Sequence, residues 1–282
     1  MKKAAVIGIC GYSVFLKDGK LPKTGESSVF KTFHTEVGGK GVNAAAAIKT
    51  LGGEVSFLTA LGRDDEGAKC KEFFTRVNLK TTICEKSANT DYGVILVGED
   101  GENCVSVYAG ASNLLNADDA EGFKAEIESA DYLLMQSELP DCVIVKAAEI
   151  AEESGTKIIF DPSPVRKLPR ELLEKVWLFT PNETEIDGLL RECTPKKCVV
   201  TLGDKGAKLV GCGKETYYPA ARCKVRNTTG AGDVFNGALI YALSCGSSLK
   251  DAVPFAVKAA AYKVGAEYVT DGFPTIKDIE NL

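Results

Sequence analysis

Short apolar runs alternate along the chain with stretches whose hydrophobic side chains recur at helical spacing. Residues 4–9, 55–60, 132–135, 157–160, 178–180 and 198–202 read as strands, because a continuous apolar run suits a strand buried on both faces. Residues 42–51, 66–77, 141–153 and 231–243 read as helices. The alternation predicts a parallel sheet covered by helices, an α/β fold. Two segments break the rhythm. Residues 27–37 are rich in Val, Phe and Thr and have no helical period. Residues 92–97 and 103–108 flank Asp100-Gly101, a pair suited to a tight turn, and so predict a hairpin. Strands inserted in this way form a small separate sheet, placed to act as a lid or as a contact between two copies of the chain. No repeat or interdomain linker is visible. Residues 1–282 therefore read as one α/β domain, with small-sheet strands inserted at about 12–37 and 90–109.

Charge and composition narrow the partners. With 34 basic against 39 acidic residues and no basic run, the chain gives no support to nucleic-acid or membrane-surface binding. The start, Met1-Lys2-Lys3 and then an apolar run reaching Gly8 and Gly11, is too short for a signal sequence and reads as the first buried strand. No transmembrane segment is visible. Ten scattered cysteines without a C-x-x-C pair read as thiols in a reducing cytosol, not as a disulfide or zinc framework. The single histidine, His34, leaves little room for a Ser-His-Asp or Cys-His site.

Four segments carry candidate chemistry. In Asn227-Thr228-Thr229-Gly230-Ala231-Gly232-Asp233, glycines flank Ala231 after a β-like approach at 221–225 and before a helix. Backbone amides at a helix start make an anion site, and Asp233 in the same turn can take the proton of an attacking hydroxyl. A Gly-rich turn with an ordinary helix-start Asp is the alternative. Gly38-Gly39-Lys40-Gly41-Val42-Asn43 opens another helix, with Lys40 and Asn43 as donors to a polar ligand. It is not a phosphate loop of the G-x-x-x-x-G-K-[ST] type, and no dinucleotide-type G-x-G-x-x-G occurs between a strand and a helix. In Thr180-Pro181-Asn182-Glu183-Thr184-Glu185, Asn182 and Glu185 share one face of a first turn. They can hold Mg²⁺ through waters or simply cap the helix. Thr201-Leu202-Gly203-Asp204-Lys205-Gly206 ends a strand in a polar turn that can touch a nucleotide or be a plain β-turn.

In this order the four segments resemble the ribokinase-like (PfkB) sugar kinases. Leu61-Gly62-Arg63-Asp64-Asp65-Glu66-Gly67 is similar to a further signature of that family. The resemblance runs from Val6 to about Gly272. It implies a doubly wound, mostly parallel sheet flanked by helices, with a small β-sheet lid. It also implies ATP and Mg²⁺ as cofactors and a small sugar-like acceptor between lid and sheet. On that basis Asp233 is the base, and the Gly230, Ala231 and Gly232 amides hold the transferring phosphoryl. Thr201, Gly203 and Gly206 lie at ATP, Asn182 and Glu185 near phosphate and Mg²⁺, and Gly38, Gly39, Lys40 and Asn43 at the acceptor. Glu138 matches a position that grips an acceptor hydroxyl, or is a solvated strand-end charge. A nucleoside kinase or a non-catalytic sensor of the same fold are the alternatives. An oxidoreductase lacks its fingerprint.

Three departures stand out. Gly11 and Ser13 replace the Asn-x-Asp pair that grips the sugar in ribokinases, which speaks against ribose itself. Asn227 replaces an Asp that helps bind a monovalent cation in ribokinases, and Lys263 stands where small residues are expected. Lys263 then either replaces that cation, making activity independent of K⁺, or is an exposed helix lysine. Between Glu185 and Cys198 the chain is too short for a helix usual in the family.

Overall fold

The computed structural model describes residues 2–99, 102–211 and 214–282. In chain order the strands are β1 (Lys3–Ile7), β2 (Gly11–Gly19), β3 (Thr32–Gly38), β4 (Glu54–Leu61), β5 (Lys80–Glu85), β6 (Asp91–Gly98), β7 (Asn103–Tyr108), β8 (Tyr132–Gln136), β9 (Lys157–Asp161), β10 (Val176–Phe179), β11 (Lys197–Thr201), β12 (Ala207–Gly211) and β13 (Lys214–Tyr218). The helices are α1 (Lys40–Thr50), α2 (Asp65–Arg76), α3 (Ala117–Gly122), α4 (Lys124–Glu128), α5 (Asp141–Ser154), α6 (Arg170–Leu173), α7 (Glu185–Glu192), α8 (Ala231–Ser244), α9 (Leu249–Gly265) and α10 (Ile276–Glu280).

Among the described residues, nine strands form one sheet in the order β13-β12-β11-β10-β9-β8-β1-β4-β5. It is parallel from β11 to β5, and the hairpin β12–β13 closes one edge antiparallel. The period-two rule assigns its side chains to two cores. Ala4 and Val6 of β1 face α1, α2, α8 and α9, whereas Ala5 and Ile7 face α3, α4, α5 and α6. Helices therefore cover both faces of a mostly parallel sheet, as the apolar runs require. A second sheet, in the order β3-β2-β6-β7, stands apart from the first.

Local chemistry explains the element ends. Asp64 caps α2 by accepting from the Gly67 amide at 2.8 Å. Gly155 ends α5 in the left-handed region at φ 77°. Helix α1 carries Gly41 and the run Ala44–Ala47, small side chains that let α8 approach closely. A Cβ on Gly237 of α8 would lie 2.6 Å from the Ala44 carbonyl oxygen.

Several details differ from the sequence expectations. Residues 221–225 form no strand; they run irregularly along a cavity wall, mostly exposed. Only Thr32–Gly38 of the 27–37 segment is strand. The Asp100-Gly101 turn lies outside the described residues, although β6 and β7 pair antiparallel on either side of it. A single helix, α7, occupies the short stretch before β11. No helix among the described residues is long and apolar enough to cross a membrane.

Candidate active site

One cavity of about 860 Å³ opens at the carboxyl ends of β1, β8, β9, β10 and β11, where open α/β sheets place ligands. The residues read from the sequence as catalytic, acceptor, nucleotide or metal candidates all line it: Gly11, Ser13, Gly38, Gly39, Lys40, Asn43, Glu138, Asn182, Glu185, Thr201, Gly203, Gly206, Gly230, Ala231, Gly232 and Asp233; Asn227 and Lys263 do not. Loops far apart in sequence converge because two helices start there. Gly39 turns the chain into α1 at φ 120°, and a Cβ on it would lie 2.8 Å from the Ile9 carbonyl oxygen. No other residue fits such a backbone.

The start of α8 supplies the densest chemistry. Gly230 precedes it at φ 76°, packed so that a Cβ would meet Val269 at 2.9 Å. Ala231 donates its amide to the Thr228 carbonyl at 3.2 Å, so this amide closes the turn. The amides of Gly230, Gly232 and Asp233 find no acceptor among the described residues and sit at the positive end of a fourteen-residue helix. Asp233 is buried, and its Oδ2 accepts from Asn43 Nδ2 at 2.8 Å. That bond joins the two Gly-rich loops and leaves Oδ1 toward the cavity lining. A Cβ on Gly232 would meet nothing within 4 Å. Gly232→Ala is therefore expected to leave Tm unchanged or slightly raised while lowering kcat by about 10²-fold through a methyl in the path of the ligand. Paired thermal melts and steady-state rates check this.

Charge around Lys40 is concentrated. Burial disfavours its ammonium, but Asp233, Asp161, Glu138 and Glu185 outweigh burial and hold its pKa well above the usual lysine range. Burial in turn pushes the carboxyls up, Asp161 to about 7 and Glu138 to about 8, with Lys40 opposing the rise in both. Glu138 is half-buried, yet its Oε2 is sealed from water without a partner. It is thus not a solvated strand-end charge. Arg166 fixes the turn that carries it, donating to the Ser137 and Leu139 carbonyls at 2.7 and 2.9 Å. Asn43 Oδ1, Thr180 Oγ1 and Asn236 Oδ1 also line the cavity buried and unpartnered, the condition of polar atoms awaiting a ligand.

The raised Glu138 value has a thermodynamic consequence. Between about 4.5, its ordinary value, and about 8, the folded chain holds a proton that the unfolded chain has released. Stability therefore falls as pH rises through this window. Glu138→Gln is expected to raise the ligand-free Tm at pH 8 by on the order of 5 °C, with the gain fading toward pH 4.5. Melts at both ends of the window check it.

At the other end of the cavity, Asn182 and Glu185 cap α7 reciprocally. Asn182 Oδ1 accepts the Thr184 and Glu185 amides at 2.9 Å each, and Glu185 Oε2 accepts the Asn182 amide at 2.9 Å. The capping role read from the sequence is real. It occupies the Asn182 oxygen and one Glu185 oxygen and leaves Glu185 Oε1 to the cavity. Gly203 at φ 56° and Gly206 at φ 104° shape the turn after β11, and a Cβ on Gly206 would strike the Tyr218 carbonyl oxygen at 2.1 Å.

Sequence reasoning missed three parts of the lining. Asp161, at the end of β9, is buried and accepts from Asn236 Nδ2 at 3.2 Å. A carboxylate closing the 157–160 apolar run was the available signal. Asn236 follows Asp233 by three residues and shares its helix face. The small sheet contributes the third part. In register, Gly93 of β6 lies between Ser13 of β2 and Val107 of β7, and Ile95 between Phe15 and Val105. Ser13, Gly93, Ile95, Val105 and Val107 line the cavity together with Tyr12, Tyr92 and the buried Asp91, so its wall on this side is mostly apolar and aromatic.

Comparison with known proteins agrees with the fold. The model of the pfkB family carbohydrate kinases matches residues 1–276. A ribokinase of Bacillus subtilis is 31% identical over 291 residues, covering 100% of this chain and 99% of that one. The crystal structure of a ribokinase from Thermotoga maritima superposes with a TM-score of 0.89 at 28% identity, covering 100% of this chain and 99% of that one. The structure of Arabidopsis thaliana ribokinase complexed with ribose and ATP gives 0.88 at 27% identity over 99% of this chain and 98% of that one. Fold and site define an enzyme of ATP-dependent phosphoryl transfer to a sugar-type hydroxyl. The chain belongs to the pfkB family of carbohydrate kinases.

Proposed function

We propose that this kinase moves the γ-phosphoryl of ATP to a hydroxyl of a small sugar-like acceptor, with Asp233 as general base. The observation that carries the proposal is the placement of a buried carboxylate and three open amides in one helical turn. The acceptor hydroxyl faces Asp233, which takes its proton as the oxygen–phosphorus bond forms and the bond to ADP breaks. The amides of Gly230, Gly232 and Asp233 receive the charge on the phosphoryl oxygens. Lys40 neutralises the same region. Thr201, Gly203 and Gly206 hold the nucleotide end, and Gly39, Asn43 and Glu138 orient the acceptor. Mg²⁺ fits the donor set. Glu185 Oε1 is left over from capping, and the buried Asp161 carboxyl, raised to about 7, gains from a nearby cation. The ion, held by these oxygens through waters, would neutralise phosphate charge. The small sheet acts as a lid that keeps water from the phosphoryl, and 1–282 acts as one domain.

The acceptor differs from plain ribose. Gly11 and Ser13 offer one hydroxyl, and Ile95, Val105 and Val107 offer only apolar surface. This wall favours an acceptor with fewer hydroxyls toward the lid or with a flat apolar group there, so a nucleoside is the second reading. A non-catalytic sensor has no use for a buried base beside open amides. The outer face of the small sheet carries Leu16, Phe33 and Leu96 in register, with Phe33 69% exposed, and a second copy of the chain is its proposed partner. With its buried free thiols Cys10, Cys70 and Cys198 and no basic run, the enzyme is proposed to be cytoplasmic, with neither nucleic acid nor membrane as a partner. The test is ADP release from ATP and Mg²⁺ across a panel of sugars and nucleosides, with Asp233→Asn as control. Wild type and Asp233→Asn behaving alike on every acceptor would sink the kinase mechanism.

A further inference from the structure

Lys263, near the end of α9, is 0% exposed, so it is not an exposed helix lysine. Burying an ammonium is costly unless it is compensated, and an apolar side chain of similar volume is usually no worse for stability. The position is built around the charge. Nζ donates to the Asn227 carbonyl at 2.9 Å. The backbone at Gly272 closes over the stem, with a Cβ there 2.9 Å from Lys263 Cγ. Burial lowers the lysine to about 8, while the carboxylates of Glu36 and Asp233 oppose the fall.

Glu36 belongs to β3 of the small sheet and is itself buried. Its carboxylate accepts the Val269 and Thr270 amides at 3.1 and 2.9 Å and the Thr270 hydroxyl at 2.8 Å. Val269 packs against Gly230, and the Asn227 side chain ties to the Glu267 carbonyl at 2.9 Å. A continuous set of contacts thus runs from the small sheet to the first residue of the loop that ends at Asp233. Lys263 does not line the cavity, so whatever it does acts through that loop.

We propose that Lys263 is a positioning residue, a built-in cation that grips the Asn227 carbonyl from behind and holds the 227–233 loop in register with the small sheet, to which Glu36 ties the neighbouring 269–270 backbone. In its catalytic readout this rests on the kinase mechanism above; its structural readout does not. A built-in ammonium makes a dissolved cation unnecessary. Removing it empties space beside the Asn227 carbonyl, into which ammonium or a small monovalent cation can bind.

The experiment compares wild type, Lys263→Met and Lys263→Ala with tetramethylammonium as the only other cation, then with K⁺, ammonium or methylammonium added. Hydrogen exchange of peptides covering 227–233 and 266–272 is measured in parallel. Expected are a wild-type rate that changes less than about twofold with K⁺, a drop of about tenfold or more in kcat for Lys263→Met with KM for ATP little changed, and partial rescue of Lys263→Ala by ammonium or methylammonium. Faster exchange should be confined to the two peptides. Many-fold activation of wild type by K⁺ would overturn the proposal. So would Lys263→Met with wild-type kcat and exchange, or exchange raised uniformly across the nine-stranded sheet, the mark of a merely structural lysine. If wild type phosphorylates no acceptor, the kinase mechanism fails and the exchange data alone decide the brace.

Discussion

Asp233→Asn is expected to lower kcat by about 10²–10⁴-fold, the usual loss when a general base is removed, with KM for ATP changed by less than about threefold. The substitution is nearly isosteric. Asn43 Nδ2 donates to Asp233 Oδ2 at 2.8 Å, and an asparagine can present its carbonyl oxygen to the same donor. The link between the starts of α1 and α8 therefore survives, and thermal melts should match wild type. Only proton acceptance is lost. The split between kcat and KM separates this from a damaged nucleotide site, which would raise KM first. A variant with wild-type kcat would move the base elsewhere, with Asp161 the next carboxylate to try.

Lys40→Met is expected to lower kcat by about 10²–10³-fold, as for loss of one fixed donor to a developing oxyanion. Its second effect is on pH-dependent stability. Lys40 opposes the upward push of burial on both Asp161 and Glu138. Without it, both carboxyls hold their protons to still higher pH in the folded chain. The penalty for folding with these groups at neutral pH grows, because the unfolded chain releases the same protons near pH 4. Melts of Lys40→Met should match wild type at pH 4.5 and fall below it at pH 8. Equal melts at both pH values would mean that the ammonium does not act on the carboxyls.

The sheet was legible wherever burial on both faces made a strand continuously apolar, as in β1, where Ala4, Ala5, Val6 and Ile7 are all buried. It was illegible at the edges. Strand β5, Lys80-Thr81-Thr82-Ile83-Cys84-Glu85, is half-exposed along most of its length and has no apolar run. Helix α9 contains Pro254, a residue that normally argues against a helix interior. The site was legible where one short segment carries several functions, as from Gly230 to Asp233 and from Gly38 to Asn43. It was hidden where function arises from placement across the fold. Asp161 comes within electrostatic reach of Lys40 only because β9 ends at the cavity, and the wall forms only because the register puts Val107 and Val105 on the same cross-strand rows as Ser13 and Phe15, one strand away. Lys263 was visible as an oddity, but its burial could not be read from local pattern, since α9 is hydrophobic on more than one side.

The tight seat of α8 on α1, where Gly237 leaves no room for a Cβ above Ala44, has an evolutionary consequence. Lys40 and Asp233 open these two helices, so the reacting machinery travels as one block. In the proposed mechanism, the surface that meets the rest of the acceptor belongs to β2, β6 and β7. A lineage can exchange Ser13, Ile95, Val105 or Val107 and take up a new acceptor without disturbing that block. Substrate preference in such a scaffold is free to drift at constant chemistry.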